Sequence, residues 1–247
     1  MSEELVLCEV KDGLCTLTLN RPQKLNALNH DVFKALAAHI DRIETRSADI
    51  GCVMLRGAGR SFCAGHDLDD IGGGREGSDV ARFESRTIER LANLPQPVIC
   101  VVQGHCLTGG LELALGGDII IAAESAKFAD THGKWDLVPV WGMSQRLPRR
   151  IGRARAMEMM FTSRTYSGRE AAEMGLANFC VADAELDAAI DRFAKDVLAN
   201  SWRSNRANKK LLADTADMSM AAGLAHELHR SEGRGPEMAE RLMRMRK

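Results

Sequence analysis

The chain contains several short apolar segments whose length and pattern predict β-strands. The first two, LVLCEV and LCTLTL, flank the turn residues Lys11, Asp12 and Gly13, and they predict a strand, a turn and a second strand. Apolar runs within IGCVMLRG, PVICVVQG and DIIIAAES predict further strands. The loops between these segments are short, so we expect the strands to share one core.

Longer segments between the strands carry apolar residues at helical spacing. Asn29 precedes HDVFKALAAHIDRIE as a predicted N-cap, and Asp31 favours the positive end of the helix dipole. VARFESRTIERLANL predicts a second amphipathic helix, and helical spacing resumes from Arg149 to Met160. The apolar stripe of the first helix consists of Val32, Phe33, Leu36, Ile40 and Ile43.

The predicted strands and helices alternate, which is typical of an α/β fold. After about Val181 the pattern changes, because DAELDAAIDRFAKDVLAN and much of the remaining sequence are rich in Ala, Leu and charged residues. We therefore divide the chain into a mixed core, residues 1–190, and a helical C-terminal region, residues 191–247.

Composition and charge exclude several classes of protein. The formal net charge is −1 over 247 residues, so the chain has no bulk attraction to nucleic acid or to an anionic membrane. MSEELVLCEV lacks the apolar core of a secretory signal, and no segment has the apolar length that spans a bilayer. The seven cysteines are scattered without a CxxC pair, which indicates reduced thiols rather than a zinc cluster. We expect a cytoplasmic protein that binds neither nucleic acid nor membrane.

Two glycine-containing segments follow predicted strands and could bring their backbones close to a ligand. In SFCAGHDL, the small residues Ala64 and Gly65 precede His66, although a tight turn would explain the same residues. In GHCLTGGLELALGGD, a predicted helix opens with Gly109 and Gly110, although Gly costs a helix about 1 kcal/mol relative to Ala. One backbone N–H from each segment would form a two-donor oxyanion hole.

The same predicted helix places Glu112 within an apolar run, where an unpaired carboxylate is costly to bury. This residue is either a structural carboxylate, for instance one paired with an Arg, or an acid/base group. Cys63 and Cys106 lie near the predicted amides but have no adjacent base in the sequence. We interpret both as small buried apolar residues rather than nucleophiles.

SFCAGHDL, GHCLTGGLELALGGDIIIAAESAKFAD and VPVWGMSQRLPRRIG, in this order and spacing, resemble the crotonase superfamily, the enoyl-CoA hydratase/isomerase family. RPQKLNAL and TYSGREAAEMGLANFCV extend the resemblance over about residues 5–230. It implies a crotonase-like (ClpP/crotonase) spiral of ββα units and a homotrimer or dimer of trimers with C-terminal helices at the interface. It also implies an acyl-CoA substrate, with CoA as part of that substrate and no metal or separate cofactor.

The resemblance also assigns roles to individual residues. The amides of His66 and Gly109 would hold the thioester oxygen, and Glu112 falls on the position of the first catalytic Glu of the hydratases. The remaining expected substrate- or CoA-binding residues are Lys24, Ala27, Leu28, Ala64, Gly65, Asp67, Leu68, Gly110, Trp135 and Trp141. Packing alone would also explain the two tryptophans.

The main departure from the hydratase pattern is His132, which stands where the second catalytic Glu is expected, four residues after Phe128. An imidazole titrates near neutral pH, so His132 and Glu112 could share a water as base and acid. A hydrogen-bonded loop histidine is the alternative. Asp136 is a second-choice acid in the same loop and could orient His132, but a solvated turn Asp is the favoured interpretation.

The resemblance therefore implies an enoyl-CoA hydratase that adds water syn to a 2-enoyl-CoA through a thioester enolate. Isomerisation, β-diketone hydrolysis and decarboxylation are alternatives, and a non-catalytic acyl-CoA- or RNA-binding member is the alternative from another class. Val140 follows Pro139 where the resemblance implies Tyr in decarboxylases and Asp in dehalogenases and dienoyl-CoA isomerases. GGGREG, residues 72–77, is interpreted as a loop over the acyl pocket.

Overall fold

The computed structural model of the protein describes residues 4–72 and 78–245. Residues 73–77, most of the segment expected to cover the acyl pocket, lie outside this range. The strands are β1 (Val6–Lys11), β2 (Leu14–Leu19), β3 (Cys52–Gly57), β4 (Val98–Val102), β5 (His105–Leu107), β6 (Ile119–Ala123), β7 (Lys127–Ala129), β8 (Tyr166–Ser167) and β9 (Phe179–Val181).

The helices follow the strands in an alternating order, which confirms the predicted α/β class. They are α1 (His30–Thr45), α2 (Leu68–Gly72), α3 (Ser78–Ala92), α4 (Gly109–Ala114), α5 (Met143–Ile151), α6 (Arg153–Thr162), α7 (Gly168–Glu173), α8 (Leu186–Ala199), α9 (Trp202–Thr215), α10 (Met220–Arg230) and α11 (Met238–Met245).

The main sheet has six strands in the order β1-β2-β3-β4-β6-β9. The pair β1 and β2 is antiparallel, as expected for the turn at Gly13, and each later neighbour is parallel. Since parallel strands end at the same edge of a sheet, the loops that follow β3 and β4 emerge side by side. An isolated bridge between Cys63 and Cys106 joins the loop after β3 to β5, which follows β4 in the chain.

A second, smaller sheet has the order β5-β7-β8 and was not predicted as a separate layer. Its strands have only two or three residues, which is too few to show the alternation of apolar and polar residues that predicts a strand. This sheet leads directly into the site, because β5 precedes α4 and β7 precedes the loop that carries His132.

The two faces of the main sheet are covered by different helices. On one face the predicted stripe of α1 is buried, and Asn29 caps the helix by accepting the Val32 N–H, as expected. On the other face Leu186, Ile190 and Ala194 of α8 belong to a second cluster with residues of the main sheet. The expected boundary at residues 190/191 therefore falls inside α8, which packs on the sheet along its length.

One predicted helical segment is divided in two. The segment from Arg149 to Met160 spans the end of α5 and most of α6, because Gly152 between them has a φ of 81°. A left-handed residue cannot continue an α-helix, so the chain changes direction there. Two arginines of α5 are tied to the backbone: Arg146 donates to the Trp141 carbonyl and Arg150 to the Leu176 carbonyl.

Candidate active site

Glu112 lies on α4 and is 1% exposed. The helix follows Thr108, whose φ of 50° is unusual for a β-branched residue. Thr108 is held by its N–H, which donates to the Ala129 carbonyl, and by its hydroxyl, which contacts the Thr131 hydroxyl. This sharp entry into α4 directs Glu112 to the wall of a cavity.

The two oxygens of the Glu112 carboxylate have different surroundings. Oε1 accepts the backbone N–H of Trp141 at 2.9 Å and that of Met143 at 3.0 Å. Oε2 lies 3.7 Å from Nε2 of His132. Burial raises the pKa of Glu112, whereas the Met143 N–H and His132 oppose that rise. Oε1 is therefore occupied by two backbone hydrogen bonds, and Oε2 is the oxygen available for proton transfer.

His132 opens a short 3-10 turn after β7 and is 8% exposed. Its Nδ1 lies 2.6 Å from Oδ1 of Asp130, and the same oxygen accepts the His132 backbone N–H at 3.1 Å. The carboxylate that contacts the ring is Asp130, which is 1% exposed. Asp136 does not take this role and is exposed, as the interpretation of a solvated turn residue predicts. Asp136 instead lines the cavity at the end of the turn, with a φ of 56°.

The backbone at His66 is oriented by Leu28. The Leu28 N–H donates to the Gly65 carbonyl, and the Asp67 N–H donates to the Leu28 carbonyl. The N–H of His66 belongs to the same trans peptide group as the Gly65 carbonyl, and these two groups point in opposite directions, so the N–H of His66 points away from Leu28. His66 also lines the cavity, and its ring centroid lies 4.9 Å from that of Trp141.

Close packing explains why two glycines open α4. A Cβ on Gly109 would lie 2.5 Å from the Trp141 ring and 3.3 Å from the His66 nitrogen. A Cβ on Gly110 would lie 2.5 Å from the Cys63 carbonyl oxygen. As the first residue of α4, Gly109 has an N–H without an acceptor inside the helix. The expected donor pair, His66 and Gly109, thus lies on facing segments of one cavity wall.

The cavity beside these groups has a volume of about 760 Å³. Both predicted tryptophans line it: Trp141 is buried, whereas Trp135 is 59% exposed at the rim. Other apolar lining residues are Leu68, Val80, Leu107, Leu137, Val138 and Val140. A mostly apolar cavity with a few convergent polar groups is typical of a small-molecule site.

Residues 9–233 match the sequence family described as enoyl-CoA hydratase/isomerase. The 1,2-epoxyphenylacetyl-CoA isomerase of Escherichia coli is 38% identical over 245 residues, covering 96% of this chain and 93% of that protein. The chain belongs to the enoyl-CoA hydratase/isomerase family. It is accordingly an enzyme of that family.

Solved structures agree with this assignment. The enoyl-CoA hydratase of Bacillus anthracis has a TM-score of 0.91 at 30% identity, covering 98% of this chain and 96% of that chain. A Thermobifida fusca structure in complex with acetoacetyl-CoA has a TM-score of 0.84 at 30% identity, covering 93% of this chain and 95% of that one. The expected crotonase-like fold is confirmed by these matches.

Several residues expected to bind substrate in this family member do not line the cavity. Leu28 is fully buried in the core and Gly110 packs on Cys63. Asp67 is buried and pairs with Arg21 at 2.8 Å. These contacts support the loop that carries His66, so any binding role of the three residues stays a prediction.

Of the other expected residues, three line the cavity and two do not. Ala64, Gly65 and Leu68 line the cavity. Lys24 is exposed and pairs with Asp69 at 2.9 Å, whereas Ala27 is half-buried and accepts a hydrogen bond from Arg21 through its carbonyl. Cys63 and Cys106 are fully buried, and burial raises the pKa of Cys63 to about 12, which agrees with an apolar role.

Sequence reasoning missed three polar residues of the site. Asp130 and Thr131 directly precede His132 in the sequence, and the spacing Asp-x-His was the available signal for Asp130. Glu84 of α3 lines the cavity, is almost fully buried and lies 3.4 Å from Nδ1 of His30. Burial raises the pKa of Glu84. Its position on a separate helix gave no signal in the sequence.

Residues 4–72 and 78–245 contain neither a metal-ligand cluster nor a membrane span. No group of three or more His, Cys, Asp or Glu side chains is placed to hold a metal ion there. Within the same residues, every helix is too short or too polar to cross a bilayer.

Proposed function

We propose that the protein is an enoyl-CoA hydratase that adds water syn across the double bond of a 2-enoyl-CoA. The observation that carries the proposal is the pair of facing atoms, Oε2 of Glu112 and Nε2 of His132, 3.7 Å apart in the cavity wall. Two atoms at this separation can both lie within hydrogen-bond distance of one water placed beside the line that joins them.

The reaction would use the two amides and the two side chains together. The thioester oxygen accepts the N–H groups of His66 and Gly109, which stabilise it as negative charge develops. Water oxygen bonds to C3 as it loses a proton to Glu112 or His132, and the π electrons move to form the enolate. C2 then takes a proton from the same pair, so one water is added overall.

The experiment is to incubate the protein with short 2-enoyl-, 3-enoyl-, malonyl- and β-ketoacyl-CoA thioesters and to weigh each product by mass spectrometry. A hydratase converts the 2-enoyl thioester to a 3-hydroxyacyl thioester, with loss of the absorbance of the conjugated double bond. If the 2-enoyl thioester is returned unchanged while another member of the panel is converted, the hydratase proposal is wrong.

Isomerisation is the second candidate, and one observation favours it. Of the two Glu112 oxygens only Oε2 is left for proton transfer, and moving a double bond needs one group that takes a proton and returns it. The Escherichia coli relative is also named an isomerase, but of an epoxide. An isomerase would convert a 3-enoyl thioester to the 2-enoyl form with no change of mass and a gain of absorbance.

The proposal also includes self-association, a location and the absence of a separate cofactor. Hydration needs only water and the CoA thioester, so the proposal includes no separate cofactor.

A trimer or a dimer of trimers is supported by exposed apolar side chains on α9 and α10. Four of them are between 60% and 80% exposed: Leu212, Met220, Leu224 and Leu228. A cytoplasmic location is supported by seven free thiols.

A further inference from the structure

We propose that Asp130 is a positioning residue, which fixes the His132 ring with Nε2 toward Glu112 and stabilises the positive charge that the ring gains on taking a proton. This inference rests on the proposed acid/base role of His132. Asp130 does not line the cavity, so it acts on substrate only through His132.

The geometry of the contact between Asp130 and His132 determines the tautomer of the ring. Oδ1 of Asp130 lies 2.6 Å from Nδ1 of His132 and accepts the His132 backbone N–H at 3.1 Å. A carboxylate accepts hydrogen bonds and donates none, so Nδ1 carries the proton in this contact. Nε2 is then the unprotonated nitrogen of the neutral ring, and it is the atom that lies 3.7 Å from Glu112.

The arrangement is also costly to the fold. Asp130 and Glu112 are each 1% exposed, and both carboxylates contact one ring. Burial of two acids beside each other is unfavourable. Burial is the main cause of the raised pKa of Glu112, and the nearby charge of Asp130 raises it further. Such clusters are more common at functional sites than in an ordinary core.

The loop that carries Asp130 and His132 is braced from the opposite side. The Thr131 N–H donates to the Thr108 hydroxyl at 3.2 Å, which ties the segment between Asp130 and His132 to the start of α4. The ring is therefore oriented by Asp130 on a loop that is itself attached to the helix carrying Glu112.

The experiment compares two substitutions at Asp130. Asp130→Asn keeps an oxygen that can accept both N–H groups but removes the charge, and Asp130→Ala removes the acceptor as well. We expect Asp130→Asn to lower kcat for hydration about 10- to 100-fold, part of the roughly 10²–10⁴-fold that a positioned acid or base contributes. KM should stay close to the wild-type value and Tm should not fall, since the local hydrogen bonds remain.

Asp118→Asn is the matched control. Asp118 also accepts a backbone N–H, from Val98, and a charged side chain, Lys209, but it does not line the cavity. We expect its kcat to equal that of the wild type. A purely structural role for Asp130 predicts that Asp130→Asn behaves like this control, and that result would overturn the proposal.

A second readout needs no substrate. In ¹⁵N spectra of labelled histidine, recorded where the ring is neutral and assigned with His132→Gln, we expect Nδ1 of His132 to carry the proton in the wild type. In Asp130→Ala we expect a mixture of both tautomers. A wild-type ring protonated on Nε2, or an unchanged tautomer in Asp130→Ala, contradicts the inference. If the wild type turns over no thioester, the proposed function fails separately from this result.

Discussion

Oε2 of Glu112 faces Nε2 of His132 at 3.7 Å, whereas Oε1 of the same carboxylate accepts two backbone N–H groups. The carboxylate is therefore oriented by the backbone of Trp141 and of Met143, the first residue of α5, and one oxygen remains for chemistry. This division between a structural and a working oxygen leads to the first predictions.

Glu112→Gln should abolish most of the activity without disturbing the fold. The Gln carbonyl can still accept the N–H groups of Trp141 and Met143, but the amide cannot take a proton from water. We expect kcat to fall by about 10²- to 10⁴-fold with little change in KM. Glu124→Gln, at an exposed carboxylate paired with Arg169, is the control. Equal losses in the two variants would count against a catalytic Glu112.

The same substitution should stabilise the protein at neutral and alkaline pH. Burial raises the pKa of Glu112 in the folded state, so the fold favours the neutral acid, and its contribution to stability is lost as pH rises through that value. Gln stays neutral throughout. Thermal unfolding of both proteins from pH 5 to 8.5 should give Glu112→Gln a higher Tm than the wild type, by a difference that grows with pH. A difference that shrinks as pH rises would contradict a raised pKa of Glu112 in the folded state.

His132→Gln should separate hydration from isomerisation. Hydration requires both members of the facing pair, so we expect its kcat to fall about 100-fold. Isomerisation requires one group that carries a proton between carbons, and Glu112 is unchanged in this variant. Assays with 2-enoyl and 3-enoyl thioesters measure the two reactions on the same preparation. Undiminished hydration at every pH would remove His132 from the mechanism.

Gly109→Ala should damage the oxyanion hole through one methyl group. The added Cβ would lie 2.5 Å from the buried Trp141 ring, so either the amide or the ring must move. We expect kcat to fall about 10²- to 10³-fold, as for loss of one oxyanion donor. Gly223→Ala is the control, because its Cβ meets only Thr215 at 3.8 Å. Full activity in Gly109→Ala would exclude its amide from catalysis.

Leu224→Glu combined with Leu228→Glu should disrupt self-association. These residues are four apart on α10, on one exposed face. We expect light scattering to give the wild type three or six times the chain mass and the double variant the mass of one chain. A wild type that is monomeric at all concentrations would refute the assembly proposal.

Much of the fold could be predicted because its elements have strong local patterns. The bounds of β2 agree with LCTLTL, and the N-cap at Asn29 has the expected side-chain contact. The strands of the second sheet were too short to show a period. The break at Gly152 was missed because apolar residues keep their helical spacing on both sides of it, although the backbone of Gly152 itself is left-handed.

The candidate site was predictable where backbone chemistry dictates residue type. Gly109 and Gly110 are required by close contacts with Trp141 and Cys63, and that requirement is visible as glycine in a helix. Asp130 was missed as the partner of His132, because sequence spacing does not determine which of two loop carboxylates faces a ring. That choice depends on the 3-10 turn that begins at His132.

The most direct test of hydration is to run the reaction in water enriched in ¹⁸O with a short 2-enoyl-CoA. Hydration by the facing pair predicts a 3-hydroxyacyl-CoA product that carries one solvent oxygen at C3, formed by the wild type and almost absent with Glu112→Gln. A product without solvent oxygen, or the same labelled yield from both proteins, would contradict it.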